Sequence, residues 1–257
     1  MSIPFGHHQL HNRYRFTGSL TLESPLRVSS GRASDETDAP LMRNRAGVPY
    51  IPGSSLRGAI RSTVERILNG IGSVSGLKSC TLFSSDDCNN KTRQFQQSGE
   101  KKDEELASFA DKELCDVCKL FGATVCASRV VIEDAYPKSP TTLGDKILVR
   151  DGVGIDRDTG TAREGAKFDY EVMEAGPTFI FHMQVENVTK KDRLLINLIL
   201  GLLRVGLHVG GKQAAGLGKI KLDGKLAVNG FEGPEKMWEA VKVGKDPHQP
   251  LAWKEGA

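Results

Sequence analysis

Cys115-Asp-Val-Cys118 sets two thiols at the spacing with which a chain grips one tetrahedral ion such as Zn2+. Two more ligands are needed, and Cys80 and Cys88 lie upstream, where a loop folding back would close the gap to Cys115. A structural zinc held by Cys80, Cys88, Cys115 and Cys118 would pin a polar, acidic segment that lacks a core of its own. Cys126 is the alternative fourth ligand, although its place beside a β-branched run suits a buried thiol better. Reduced core cysteines with a chance pairing are the plain structural alternative. A redox pair fits less well, because no thioredoxin-like βαβ pattern surrounds it.

Two stretches have the residues to hold phosphate. Pro52-Gly53 leads tightly into a helix that opens at Ser54 and Ser55, whose first amides would form an anion site with Arg57 and Arg61 one turn apart on the same side. A capped helix with solvated arginines is the alternative. In Gly206-Leu-His-Val-Gly-Gly-Lys-Gln-Ala-Ala-Gly-Leu-Gly-Lys219, Gly210 and Gly211 would let the backbone approach a phosphate, and Lys212 and Lys219 would supply charge. The loop follows a helix and Gln213 follows the lysine, so it is not a Walker loop. Net charge is only +3, but it is unevenly spread: five basic residues from Arg43 to Arg66 face one acid, and eight from Lys190 to Lys225 face two. From Asp86 to Asp116 nine acids outnumber five bases. That separation would present one positive side to a polyanion, and solvated helix faces would explain it equally well.

The elements that must position these residues are legible as periodicity. Arg13 to Leu22 alternates, with Tyr14, Phe16, Leu20 and Leu22 on one side of a half-buried strand. From Ser54 to Gly70, Leu56, Ile60, Val64, Ile67 and Leu68 recur at helical spacing, with the serines as cap and Gly70 as stop. Arg129 to Glu133, and the run from Pro177 with Phe179, Phe181, Met183 and Val185 on one face, read as strands. Lys190 to Leu207 is an amphipathic helix, and Gly218 to Leu222 is a last strand. This order is that of the α+β, ferredoxin-like split βαβ arrangement, which RNA-recognition (RRM) domains share. The 257 residues fit one such domain with insertions at 23–53, 71–128 and 134–176, where function is to be sought. The polar stretch Thr92 to Glu105 reads as a mobile tip. Hydrophobic residues at 39% and charged residues at 26% are ordinary globular usage, and the most apolar stretch, Leu194 to Leu203, is too short for a bilayer. The first residues show no export signal, so a cytoplasmic protein with no membrane partner is expected.

Ile51-Pro-Gly-Ser-Ser-Leu-Arg-Gly58, Leu120-Phe-Gly122, the segment Arg150 to Lys167 and Gly216-Leu-Gly-Lys219 resemble the RAMP superfamily. More narrowly, they are similar to the repeated backbone subunit of type III CRISPR effector complexes, in register from Arg13 to about Leu222. The resemblance implies a subunit that lines up with other effector subunits along a CRISPR guide RNA in a filament-like complex. Such a subunit inserts a β-hairpin thumb between bases at regular intervals and cuts the complementary target RNA opposite each thumb. It also implies the cutting residue, an aspartate two positions before the proline of the loop leading to Ile51-Pro-Gly: here Asp38, in Thr37-Asp38-Ala39-Pro40. Its carboxylate would hold a divalent cation, Mg2+ or Mn2+, or help to activate the ribose 2′-hydroxyl, with Asp35 and Glu36 as neighbours. An aspartate capping the turn before Pro40 is the structural alternative. Family members often carry a His-Ile-Gly-like run where Arg27-Val-Ser-Ser stands, and an arginine where Gln213-Ala-Ala stands.

The thumb would be the arm between Ile147 and Met173, basic through Arg150, Arg157, Arg163 and Lys167, with a small apolar tip near Val153 or Ile155. RNA contacts are thus expected from Arg43, Ser54, Ser55, Arg57, Arg61, Arg150, Arg157, Arg163, Lys167, Gly210, Gly211, Lys212 and Lys219. One alternative is the same backbone without catalysis. Another is a precursor-processing ribonuclease that uses a histidine, for which His7, His8 and His11 are the candidates.

Overall fold

The computed structural model describes residues 9–254 apart from 32, 34–36, 82–83, 86 and 100–101. In chain order the strands are β1 (Asn12–Leu22), β2 (Val130–Ile132), β3 (Ile147–Ile155), β4 (Ala162–Met173), β5 (Thr178–Glu186), β6 (Leu207–His208), β7 (Lys219–Glu232) and β8 (Gln249–Pro250). The helices are α1 (Gly53–Ile71), α2 (Cys88–Gln97), α3 (Asp103–Glu113), α4 (Asp116–Phe121), α5 (Lys190–Val205) and α6 (Pro234–Lys242). The class is α+β. The antiparallel main sheet runs β2-β5-β1-β7-β6 with β8 on β7, and β3 and β4 form a separate hairpin.

Alternation along β1 and β5 buries Phe16, Leu20, Phe179, Phe181, Met183 and Val185 on one face. Leu56, Ile60, Val64 and Leu68 of α1 and Leu195, Ile196, Ile199 and Leu203 of α5 join them in one core. Thr189 and Asp192 form a capping box at the start of α5. Asp192 also receives two hydrogen bonds from the buried Arg129, at 2.7 and 2.9 Å, tying the entry of β2 to α5. Among the described residues no helix is long and apolar enough to cross a membrane.

Several elements differ from their sequence-based outline. Pro52 is the N-cap of α1, so Ser54 and Ser55 lie within its first turn and neither caps it. Asp134 instead accepts the Gly53 N–H at 2.7 Å. Gly53 is required there, because a Cβ would lie 2.2 Å from the Ile132 carbonyl oxygen. Helix α1 passes Gly70 and ends at Ile71, and α5 stops at Val205, where Gly206 turns the chain into β6. Strand β7 continues ten residues beyond Leu222, through polar positions that carry little apolar alternation. Of the described residues from Thr92 to Glu105, most lie in α2 and α3, and Phe95 stacks on Phe109 at 4.3 Å. Past α6, Trp253 packs edge-on against Tyr14 and Phe16 and donates to Asn197 at 2.9 Å.

Candidate functional site

Asp38 is exposed, in a loop laid along β4 at the root of the hairpin. The Asp38 N–H donates to Asp169 Oδ1 at 2.7 Å, and the Asp169 N–H donates to Asp38 Oδ2 at 3.1 Å. Two positions on, the Glu171 N–H donates to the Ala39 carbonyl, and the Leu41 N–H donates to Glu171 Oε2 at 2.8 Å. Arg43 closes the same seam with a bidentate pair to Glu171, at 2.7 and 3.0 Å. Burial raises the Glu171 pKa, but Arg43 and the Leu41 amide outweigh it and hold the carboxyl below its usual range. Met42 and Val28 pair on the far side of the loop. Asp38 therefore stands on a strap fastened to β4 by main-chain and carboxylate bonds. Asp35 and Glu36, named beside it, lie outside the described residues.

The glycine-rich loop reaches the same place. A Cβ on Gly210, at φ +84, would lie 2.2 Å from the Arg27 carbonyl oxygen, which accepts the Gly211 N–H at 2.8 Å. Lys212 Nζ lies 4.4 Å from the Phe168 ring centroid and 4.6 Å from that of Tyr170, both on β4. Tyr170 also packs with Leu217 of the loop and Ala39 beside Asp38. Lys219 pairs with Glu23 at 2.7 Å. The hairpin carries Arg150, Arg157, Arg163 and Lys167 exposed, the last ion-paired with Asp151 at 3.5 Å. Val153 and Ile155 are exposed at the outer end of β3, next to a turn in which Asp156 accepts from the amides of Asp158 and Thr159.

The other phosphate candidates have partners within the fold. Arg57 donates to the Phe121 carbonyl and lies over the Phe121 ring. Arg61 donates to Glu65 at 2.8 Å, to the Gly122 carbonyl at 3.3 Å and to Cys118 Sγ at 3.2 Å. The anion at the α1 N-terminus is Asp134, so Ser54 and Ser55 open no vacant anion site at Gly53.

Arg61 leads to the sulfur cluster. The Sγ atoms of Cys80, Cys88, Cys115 and Cys118 all lie within 4.8 Å of one another. Cys80 and Cys118 are 3.7 Å apart, close to the edge of about 3.8 Å of a tetrahedron with Zn–S bonds of about 2.3 Å. The Cys115 and Cys118 amides point at the Cys88 and Cys115 sulfurs. Hydrogen bonds with Cys115 and Cys118 push the Cys80 thiol down, and those with Cys115 and Cys80 push Cys118 up. Donor set and spacing fit a zinc-like ion. Cys126 is not in the group; its sulfur faces the Lys119 and Ala127 carbonyls. His182 is bonded to Thr17 across β1 and β5, and among the described residues no histidine is bonded to Asp38; His7 and His8 lie outside them.

The model of the RAMP superfamily matches residues 19–221. The chain belongs to the RAMP superfamily. It is 25% identical over 218 residues to "CRISPR system Cms endoribonuclease Csm3" of Methanocaldococcus jannaschii, covering 79% of this chain and 76% of that protein. The RAMP match spans Asp38, the cysteine cluster, the hairpin and the glycine loop, and leaves α6 and Trp253 outside. Within it, Asp169, Glu171 and Tyr170 escaped sequence reasoning, because in the hairpin they read as ordinary strand alternation.

Proposed function

We propose that this chain is a guide-RNA-bound backbone subunit of a type III CRISPR effector complex that cuts complementary target RNA at regular intervals, with Asp38 acting on the scissile ribose. The sheet order β2-β5-β1-β7, with α1 and α5 packed into one core, supports a ferredoxin-like domain carrying insertions 23–53, 71–128 and 134–176. The reciprocal bonds between Asp38 and Asp169 carry the functional reading, because they put an exposed carboxylate at the root of the arm that would part the bases.

In the cut, the target's 2′-oxygen attacks phosphorus in line, and its proton passes to Asp38. The P–O5′ bond breaks, and the 5′-oxygen takes a proton from water, leaving a 2′,3′-cyclic phosphate. Asp169 fixes Asp38 through its main chain and through Oδ2, leaving Oδ1 to receive the proton. Asp169 Oδ2 is likewise without a hydrogen-bond partner among the described residues and, together with phosphate and water, would suit Mg2+ or Mn2+. Such an ion would supply Lewis-acid charge at the phosphate. Zinc on Cys80, Cys88, Cys115 and Cys118 has a structural role, holding the 71–128 insertion against α1.

Analysis of product ends tests the chemistry. The purified complex with a target complementary to its guide should leave 2′,3′-cyclic phosphate and 5′-hydroxyl ends. Products with 3′-hydroxyl and 5′-phosphate ends would mean that water is the nucleophile and that this role of Asp38 is wrong.

A further inference from the structure

We infer that Arg27, assisted by Lys212, is the phosphate-binding half of the Asp38 site and binds the scissile phosphate of the target RNA; the inference rests on the reading of Asp38 given above. Arg27 sits between two locked neighbours. Leu26 exchanges both main-chain bonds with Met173, at 2.8 and 2.9 Å, and the Val28 carbonyl accepts the Met42 N–H at 2.8 Å. Its own carbonyl is held by Gly211. With its backbone fixed, the side chain lies with Cζ 5.0 Å from the Tyr170 ring centroid, on the ring that also carries Lys212 Nζ. Lys212 itself is held in the left-handed region, at φ +56.

Among the described residues these two cations differ from their neighbours in having no acid partner. Arg43 is paired with Glu171, Lys219 with Glu23, Arg61 with Glu65 and Arg129 with Asp192. Among the described residues the charged ends of Arg27 and Lys212 meet aromatic rings, and Arg27 Nε is buried with no hydrogen-bond partner. A buried donor left unpaired is unfavourable, so this one marks where an acceptor belongs. Tyr170, which carries both cations, follows Asp169 directly and packs on Ala39, the residue after Asp38. Two cations with no acid partner among the described residues thus share the ring of the residue next to Asp169, whose main chain and carboxylate fasten Asp38. A ribose phosphate presents the matching pair, a hydroxyl that loses a proton and a phosphate whose non-bridging oxygens gain charge during in-line attack. Guanidinium and ammonium donors aimed at those oxygens stabilise that charge, and the ring beneath them keeps water from one side.

The test uses the assembled complex with its guide and compares Arg27→Ala, Arg27→Met and Arg27→Lys with Asp38→Ala in single-turnover cleavage. The Ala and Met variants should cut about 100-fold more slowly with guide content and target affinity unchanged, and Lys should recover part of the rate. Added guanidinium should partly restore Arg27→Ala and leave Asp38→Ala inert. Wild-type cutting by Arg27→Ala and Arg27→Met beside an inert Asp38→Ala would overturn the assignment alone. Loss of guide RNA from both Arg27 variants would also overturn it, making Arg27 a prop for Tyr170. Full cutting by Asp38→Ala would instead bring down the reading on which the assignment rests.

Discussion

A catalytic carboxylate must be both reachable and held, and Asp38 meets the two demands with different atoms. Its main-chain N–H and Oδ2 face Asp169, and among the described residues Oδ1 has no hydrogen-bond partner. Asp169→Ala removes the acceptor that fixes the Asp38 N–H, so cleavage should slow by about tenfold while guide and target binding stay unchanged. Single-turnover rates beside filter-binding affinities check this, and an equal loss in both would assign Asp169 to RNA contact instead. Asp38 itself was accessible only through resemblance, because one aspartate before a proline reads as a turn cap. Asp169, Glu171 and Arg27 were not legible, since their meaning depends on contacts between segments more than a hundred residues apart. The four cysteines were legible, because a thiol pair two residues apart has one dominant use in a chain without a disulfide pattern.

The elements divide into those proposed to hold RNA and those that hold the fold. Arg57 and Arg61 share the side of α1 that spacing implies, yet both reach the C-terminal end of α4, at Phe121 and Gly122, and Arg61 reaches a cysteine sulfur. Sequence periodicity gives the face of a helix but not its occupant, so these arginines look free until α4 is placed against them. Zinc should be found at about one per chain and be lost from Cys80→Ser and Cys118→Ser but not from Cys126→Ser. Metal analysis of freshly prepared protein decides this, and absence of zinc from the wild type would defeat the site. Arg61→Met should retain zinc less well on dialysis against a chelator, and chelation should lower Tm by roughly 5–10 °C. The hairpin offers a separate test, since Asp38 is fixed at Asp169, away from the outer end at Ile155 and Ala162. Deleting Gly152 to Gly160 should leave guide binding largely in place and abolish the regular spacing of cuts. Unchanged spacing would mean that the interval comes from subunit stacking alone.

At the scale of the whole molecule, the succession β1, α1, β2, β5, α5 and β7 was legible because the apolar faces keep one period: period two in β1 and β5, and 3.6 in α1 and α5. The path after Leu222 was not, because β7 continues through polar residues and Trp253 returns to the core from far along the chain. The Asp38 loop and the hairpin meet along β4, the glycine loop joins them at Tyr170, and the cysteine-bearing segment meets α1 through Arg61. The most direct measurement is cleavage of a long complementary target by complexes carrying Asp38→Ala, with products resolved to single nucleotides and Asp35→Ala as control. The expected result is intact assembly and target binding with the whole ladder of evenly spaced cuts abolished by Asp38→Ala and largely kept by Asp35→Ala. A full ladder from the Asp38→Ala complex would contradict the role given to this carboxylate.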